Sequence, residues 1–170
     1  MAGERLDPKI AAARLNERAA GTNIEARGTR FLEVSGERAV AELAFRADLT
    51  QLTGVFHGGV IVSLADETAT ACSMHAVMPD GSWDPGKFPL TIQLSANLIR
   101  NANAGTLIAE AVPLHKGRTS MVIQTTVRDD DGRVIAVVTA TQLIVSRAQT
   151  SEAVRELPHP LRSLTGLTLK

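Results

Sequence analysis

Hydrophobic and polar residues alternate along several stretches of the chain, which is the pattern of β-strands that bury one face. The alternation is clearest over residues 39–45 and 92–98, where every second side chain is apolar. Further strand candidates, separated by short polar or glycine-containing turns, lie at residues 31–34, 107–111, 121–128 and 134–145. Short turns between the last four strands predict antiparallel pairing. Residues 134–145 are apolar on both faces, so we expect this strand inside the sheet.

The N-terminal part of the chain predicts one short helix. Asp7 is a favourable N-cap, Pro8 fits the first helical position, and Gly21 follows the end of the pattern. We therefore expect residues 1–21 to form a helical extension of the domain.

A second helix is predicted over residues 60–77, after the tripeptide His-Gly-Gly at 57–59 and before Pro79. Asp66 and Glu67 are its only acidic or basic residues apart from a histidine, and the other side chains are apolar or small nearly all round. A helix of this composition is usually buried. Together with about six strands it predicts an α+β architecture, in which a curved antiparallel sheet wraps around this helix.

This pattern divides the chain into the N-terminal helix at 1–21, one domain at 22–146 and a polar C-terminal tail at 147–170. A length of 170 residues is sufficient for one compact domain without a metal or disulfide. The single cysteine, Cys72, excludes an internal disulfide and is typical of a reducing compartment.

Charge and composition exclude some partners. Basic and acidic residues number 18 each, and aromatic residues are only 3% of the chain, so neither a basic surface nor a base-stacking platform for nucleic acid is expected. The N-terminus has no apolar signal-peptide core, and the longest uncharged stretch, at 49–65, contains a glycine pair and several polar residues. We therefore expect a cytoplasmic protein that binds no nucleic acid or membrane.

The start of the second helix is the most informative segment. Gly58 and Gly59 would let a ligand approach the backbone, and the unpaired N–H groups of a helix start attract an oxygen that carries or develops negative charge. Asp66 lies about 10 Å further along the axis, and Thr70 follows one turn later on the same face. Burying a carboxylate is costly unless it is paired or functional. By themselves, these residues are compatible with a catalytic site. They are also compatible with a structural role, in which Asp66 is paired or solvated, the glycines form a turn and His57 caps the helix.

Residues 57–71, HGGVIVSLADETATA, resemble the signature of the hot-dog-fold acyl-CoA thioesterases, in particular the phenylacetate-pathway type. The strands over 105–145 resemble the C-terminal half of the same family, so the resemblance covers residues 34–145. It implies the hot-dog fold, with a sheet of about six strands around one central helix. It also implies hydrolysis of an acyl- or aryl-acyl-CoA thioester to the free acid and CoA.

The resemblance also implies roles for individual residues. Asp66 takes the position of the family's catalytic carboxylate, a general base or nucleophile, and the N–H of Gly58 or Gly59 would polarise the thioester carbonyl. Gln51 takes the place of an Asn or Gln that positions water or the carbonyl. His57 would order the loop beside the thioester.

Other implied contacts lie further from the signature. Thr70 matches a hydroxyl near the carboxylate, and Thr91 matches a serine on the facing strand. The turn at 115–118 is in a region that meets the coenzyme A arm. The candidate contacts there are Lys116, Gly117 and Arg118, with Arg100 a weaker one; solvated turn residues are an equally good interpretation of these cations.

The resemblance further implies a homodimer with shared active sites, in which Asp66 comes from the neighbouring subunit's helix, and pairing of dimers into a homotetramer. A six-stranded sheet also leaves edges that need cover. The implied reaction needs no metal or redox cofactor, and coenzyme A is part of the substrate. Cys72 and His75 have no third ligand for a metal.

Several alternatives stay open from the sequence. Glu67 is the second candidate carboxylate, and a salt bridge is its structural interpretation. Trp83 lies in the proline-rich loop at 79–89 and could either cover an acyl pocket or pack on a partner subunit. The competing functions are a non-catalytic acyl-CoA-binding module and an enoyl-CoA hydratase or dehydratase on the same fold.

Overall fold

The computed structural model describes residues 5–144, so the tail predicted at 147–170 lies outside the described residues. The helices are α1 Pro8–Arg18, α2 Asn23–Arg27 and α3 Gly58–Val77. The strands are β1 Arg30–Val34, β2 Ala39–Ala44, β3 Leu90–Leu98, β4 Thr106–Lys116, β5 Ser120–Arg128 and β6 Val134–Leu143.

The six strands form one antiparallel sheet in the order β1-β2-β4-β5-β6-β3. Helix α3 packs against all six strands, which confirms the predicted α+β architecture of a sheet around one central helix. Strand β6 lies between β5 and β3, as its two apolar faces predicted. Because β3 pairs with β6 and not with β2, it becomes an edge of the sheet.

The core lies between α3 and the inward face of the sheet. Helix α3 buries Leu64, Ala65 and Ala69, and alanines at inward strand positions, such as Ala109 and Ala140, face it. Small residues on both sides let the helix approach the sheet closely. Each large side chain buried in such a core contributes roughly 1.5–3 kcal/mol.

Helix α1 begins as the sequence predicts. The Asp7 carboxylate accepts hydrogen bonds from the backbone N–H groups of Lys9 (2.9 Å) and Ile10 (3.2 Å), and Pro8 occupies the first turn. The Asn16 side chain fixes α1 to β1 through two 2.9 Å hydrogen bonds with the backbone of Phe31.

Two boundaries differ from the prediction. Helix α1 ends at Arg18, and Gly21, with φ of 75°, lies in the turn to α2, which is too short to show a helical period. The turn predicted at 115–118 begins two residues later, because β4 passes through a bulge between Pro113 and His115 and continues to Lys116.

Strand β3 exposes apolar side chains at one edge of the sheet, on both sides of a register shift between Thr91 and Gln93. Leu90, Ile92, Leu94 and Leu98 are 40–59% exposed. Exposed edges with apolar side chains are usually paired or covered. Within residues 5–144, no helix is both long enough and apolar enough to cross a membrane.

Candidate active site

The Asp66 carboxylate is held between the central helix and the edge strand. Asp66 is half-buried in the middle of α3, and the Thr91 hydroxyl of β3 donates a 2.7 Å hydrogen bond to its Oδ1. The sheet register brings Thr91 opposite Gln142 of β6. The structure thus brings together Asp66, Thr70 and Thr91, three of the candidate residues.

Gln142, which was not among the candidate residues, connects these residues. Its side chain is fully buried, and Nε2 lies 2.8 Å from the Thr91 hydroxyl oxygen and 3.1 Å from that of Thr70. The sequence does contain one signal for this residue: Gln142 is the only amide in the predicted strand 134–145, whose other residues are apolar or threonine. One glutamine in such a strand indicates a buried polar contact but does not say with what.

Asp66, Thr70 and Thr91 line a cavity of about 630 Å³ whose other walls are mostly apolar. Leu15, Ile24, Phe31, Met74, Trp83 and Phe88 contribute to these walls. A cavity with apolar walls and a few polar groups is the common form of a small-molecule site.

Trp83 lines this cavity. Its ring meets that of Phe88 edge to face, with 5.8 Å between centroids. The Arg18 guanidinium of α1 lies over the indole at 4.8 Å from the ring centroid. Helix α1 and the loop at 79–89 therefore border the cavity together.

The start of α3 corrects one expectation. His57 caps the helix, and its Nδ1 accepts a 2.9 Å hydrogen bond from the Gly59 N–H. That amide is therefore occupied and is not a free donor for a carbonyl oxygen. The Gly58 N–H has no acceptor among residues 5–144, so Gly58 is the donor that remains.

Gln51 and His57 are not at the cavity of Asp66 in one chain. Gln51 is exposed in the loop before α3, where its Nε2 donates to the Thr53 hydroxyl at 3.0 Å. Gly58 and Asp66 are eight residues apart, or about 12 Å along the helix axis. One carbonyl group cannot contact both groups of the same chain.

Glu67 has a structural partner. It forms an ion pair with Arg27 of α2, and both side chains are largely buried, at 12% and 19% exposure. Glu67 also lines the cavity. The pairing agrees with the structural interpretation of Glu67 and separates its role from that of Asp66, whose partner is a hydroxyl.

The basic residues expected to contact coenzyme A lie outside the cavity of Asp66. Lys116 pairs with Glu37 at 2.6 Å, and together with Gly117 it lines a second cavity of about 690 Å³ that shares no lining residue with the first. Arg118 is exposed on the turn, and Arg100 donates to the backbone carbonyl of Val134 at 2.9 Å. In a single chain these cations do not reach Asp66's cavity.

Two further titratable groups are buried on α3. Burial raises the pKa of the Cys72 thiol to about 12, and burial lowers the pKa of His75. Both changes favour the neutral form. Across the part of the chain that the structure describes, no three His, Cys, Asp or Glu side chains are arranged to hold a metal ion.

Comparisons with known proteins agree with this architecture. The family model described as the thioesterase superfamily matches residues 53–136. A Mycobacterium tuberculosis protein named "Putative esterase Rv1847" is 34% identical over 109 residues, which cover 64% of this chain and 76% of the relative.

Solved structures show the same fold. Thioesterase HI1161 of Haemophilus influenzae matches with a TM-score of 0.69 at 22% identity, over 80% of this chain and 91% of that one. The PaaI protein of the E. coli phenylacetic acid degradation operon matches with a TM-score of 0.68 at 18% identity, over 81% and 96%. With its six-stranded sheet around a central helix, the chain belongs to the thioesterase superfamily and has the hot-dog fold.

Proposed function

We propose that the protein hydrolyses the thioester of an acyl- or aryl-acyl-CoA to the free acid and CoA, with Asp66 as the catalytic carboxylate. The observation that carries this proposal is the position of Asp66 at an apolar cavity of about 630 Å³. The aromatic rings of Phe31, Trp83 and Phe88 suit an acyl or aryl group, and the carboxylate beside them suits attack on its carbonyl carbon.

The chemistry needs a donor for the carbonyl oxygen and an activated nucleophile. The Gly58 N–H polarises the carbonyl, and a donor of this kind is typically worth roughly 2.7–4 kcal/mol in the transition state. Asp66 either takes a proton from the attacking water or attacks the carbon itself, forming an anhydride that water then cleaves. In both routes the C–S bond breaks and the sulfur leaves as CoA thiolate.

A second copy of the chain completes this site. Gly58 lies against Leu98 at one end of β3, and Asp66 contacts Thr91 at the other end. Antiparallel pairing of β3 with the β3 of a second copy places the Leu98 end of one strand opposite the Thr91 end of the other. Gly58 of one subunit then approaches Asp66 of its partner, and the exposed apolar side chains of β3 lie at the interface.

Two dimers are proposed to form a homotetramer by packing through the outer faces of their sheets. Val112 of β4 is 43% exposed on this face, and Leu114, in the bulge of the same strand, is 62% exposed. Packing of two dimers through such apolar positions would remove them from water.

The coenzyme A arm is proposed to pass near the turn after β4. The sheet registers place Lys116, Met121, Gln142 and Thr91 in one row across four strands. This row puts Lys116, Gly117 and Arg118 at the same end of the sheet as Thr91. Release of Lys116 from Glu37 would free its ammonium group for a phosphate.

Free-thiol release from a panel of aliphatic and aryl acyl-CoA substrates tests the proposal. We expect release by the wild type, a loss of roughly 10²–10⁴-fold in Asp66→Asn, and a loss below about tenfold in Glu67→Gln. Acyl-CoA binding without thiol release would instead indicate a binding module. Hydration of an enoyl-CoA would indicate a hydratase, and full activity in folded Asp66→Asn would remove Asp66 from the reaction.

A further inference from the structure

Gln142 is a buried amide at an inward position of β6. It is 0% exposed, and the neighbouring inward positions Val138 and Ala140 are apolar. Burial of an amide is unfavourable unless hydrogen bonds replace those it makes with water. The partners of Gln142 therefore indicate why an amide is placed there.

Both N–H groups of this amide are directed at hydroxyl oxygens. Nε2 donates to Thr91 Oγ1 at 2.8 Å and to Thr70 Oγ1 at 3.1 Å. A threonine hydroxyl has one hydrogen to donate. Because Thr91 Oγ1 accepts from Gln142, its own hydrogen is available for Asp66 Oδ1, which lies 2.7 Å away.

We propose that Gln142 is a positioning residue for the reaction of Asp66, and this inference rests on the proposed function. By donating to Thr91, Gln142 fixes the direction of the Thr91 hydroxyl, which then holds Oδ1 of the carboxylate. No other side-chain hydrogen bond to Asp66 is formed within residues 5–144, so Oδ2 is left for the water or the thioester.

The orientation of the amide gives the proposal a sharp test. With Nε2 towards the two hydroxyls, the buried Oε1 has no partner among the described residues. If the amide were reversed, Oε1 would accept hydrogens from both threonines, and Thr91 could no longer donate to Asp66. Gln142→Met would then free the Thr91 hydroxyl to donate to Asp66, whereas in the observed orientation it removes the donor that directs this hydroxyl. The two orientations therefore predict opposite changes in the contact between Thr91 and Asp66.

The charged groups around Asp66 stay the same in this test. Glu67 on α3 and Arg18 on α1 line the same cavity, and Arg27 on α2 is paired with Glu67. Substitution of Gln142 alters none of them, so a change in the pH–rate profile reports on the contacts of Gln142.

The test uses Gln142→Met, which fills a similar volume and has no N–H or O–H to donate. We expect it to lower kcat roughly tenfold with KM unchanged, because the hydrogen bond that directs the Thr91 hydroxyl to the carboxylate is lost. The acidic limb of the pH profile of kcat/KM should move to higher pH in this variant, because a hydrogen bond to the ionised carboxylate is lost.

The matched control is Thr125→Val. Thr125 is buried on the neighbouring strand β5 and donates to the backbone carbonyl of Ala65, next to Asp66, at 3.2 Å. Its loss should lower the melting temperature without moving kcat or the pH profile. This separates a positioning role from general destabilisation.

Crystal structures of the wild type and Gln142→Met give a second readout that needs no activity. We expect the contact between Thr91 Oγ1 and Asp66 Oδ1 in the wild type and its loss in Gln142→Met. Retention of that contact or wild-type kinetics in Gln142→Met would overturn the proposal. Full activity in folded Asp66→Asn would refute the proposed role of Asp66, and the crystal structures would still decide whether Gln142 directs the Thr91 hydroxyl.

Discussion

Gly58 at the start of α3 touches Leu98 at the end of β3: a Cβ atom built on Gly58 would lie 2.7 Å from Leu98 Cδ1. The helix start is thereby held at the free edge of the sheet, where a second copy would pair. The same contact means that any side chain at Gly58 displaces the end of a flexible leucine, which a fold tolerates more easily than a backbone clash.

Gly58→Pro should remove the proposed carbonyl donor without breaking the helix. Proline lacks an N–H and is favoured at the first helical position, and His57, with φ of −66° and ψ of 132°, has the conformation that a residue before proline prefers. We expect a loss of kcat of roughly 10²–10³-fold. Thiol-release kinetics on the folded variant measure it.

Gly58→Ala is the matched control for this prediction. It adds the same Cβ atom next to Leu98 but keeps the N–H. Its loss of activity should therefore be much smaller than that of Gly58→Pro. Equal activity in the two variants would show that the Gly58 N–H does not contact the carbonyl oxygen.

Leu94→Lys should separate the subunits. Leu94 lies near the middle of β3 and is 40% exposed, so two copies paired antiparallel would bring two ammonium groups together at the interface. We expect a monomer by light scattering and no thiol release, because Gly58 and Asp66 no longer meet. Val112→Lys, on the outer face of β4, should leave the active dimer and remove only the tetramer. An active monomer of Leu94→Lys would contradict the shared site.

The periodic pattern was sufficient for most elements but not for their arrangement. The alternation over 92–98 identified β3, yet its pairing with β6 instead of β2 depends on contacts between distant parts of the chain. Helix α2 has only five residues, fewer than two turns, and leaves no apolar period to detect.

Some residues of the candidate site could be predicted from the sequence, and others could not. Asp66 and Thr70 were found together because they are neighbours on one helical face, and Thr91 because of the family resemblance. Gln142 is brought to them only by the register of β6 against β3, which sequence spacing does not specify. The occupied amide of Gly59 follows from the ring orientation of His57, a side-chain detail that the sequence does not determine.

Trp83→Ala should weaken the binding of bulky acyl groups. The indole lines the cavity between Phe88 and Arg18, so its removal opens that wall and loses apolar contact area. We expect KM to rise about tenfold for an aryl-acyl-CoA and to change little for acetyl-CoA, which is too small to reach the ring. Trp83→Phe, which keeps an aromatic ring, should have a KM for the aryl-acyl-CoA between those of the wild type and Trp83→Ala. Equal changes for both substrates would place Trp83 outside the acyl pocket.

Cys72 should be chemically silent in the folded protein. Its side chain is fully buried, and burial raises the pKa of the thiol to about 12, so the unreactive neutral thiol predominates at pH 8. We expect iodoacetamide to leave the native protein unlabelled and active and to label it fully in guanidinium. Asn103→Cys, at an exposed loop position, provides the positive control and should take up one label in the native state. Cys72→Ala should keep its thiol-release activity, because a buried neutral thiol cannot attack a thioester. Rapid loss of activity on alkylation of native protein would instead make Cys72 a competitor of Asp66 for the role of nucleophile.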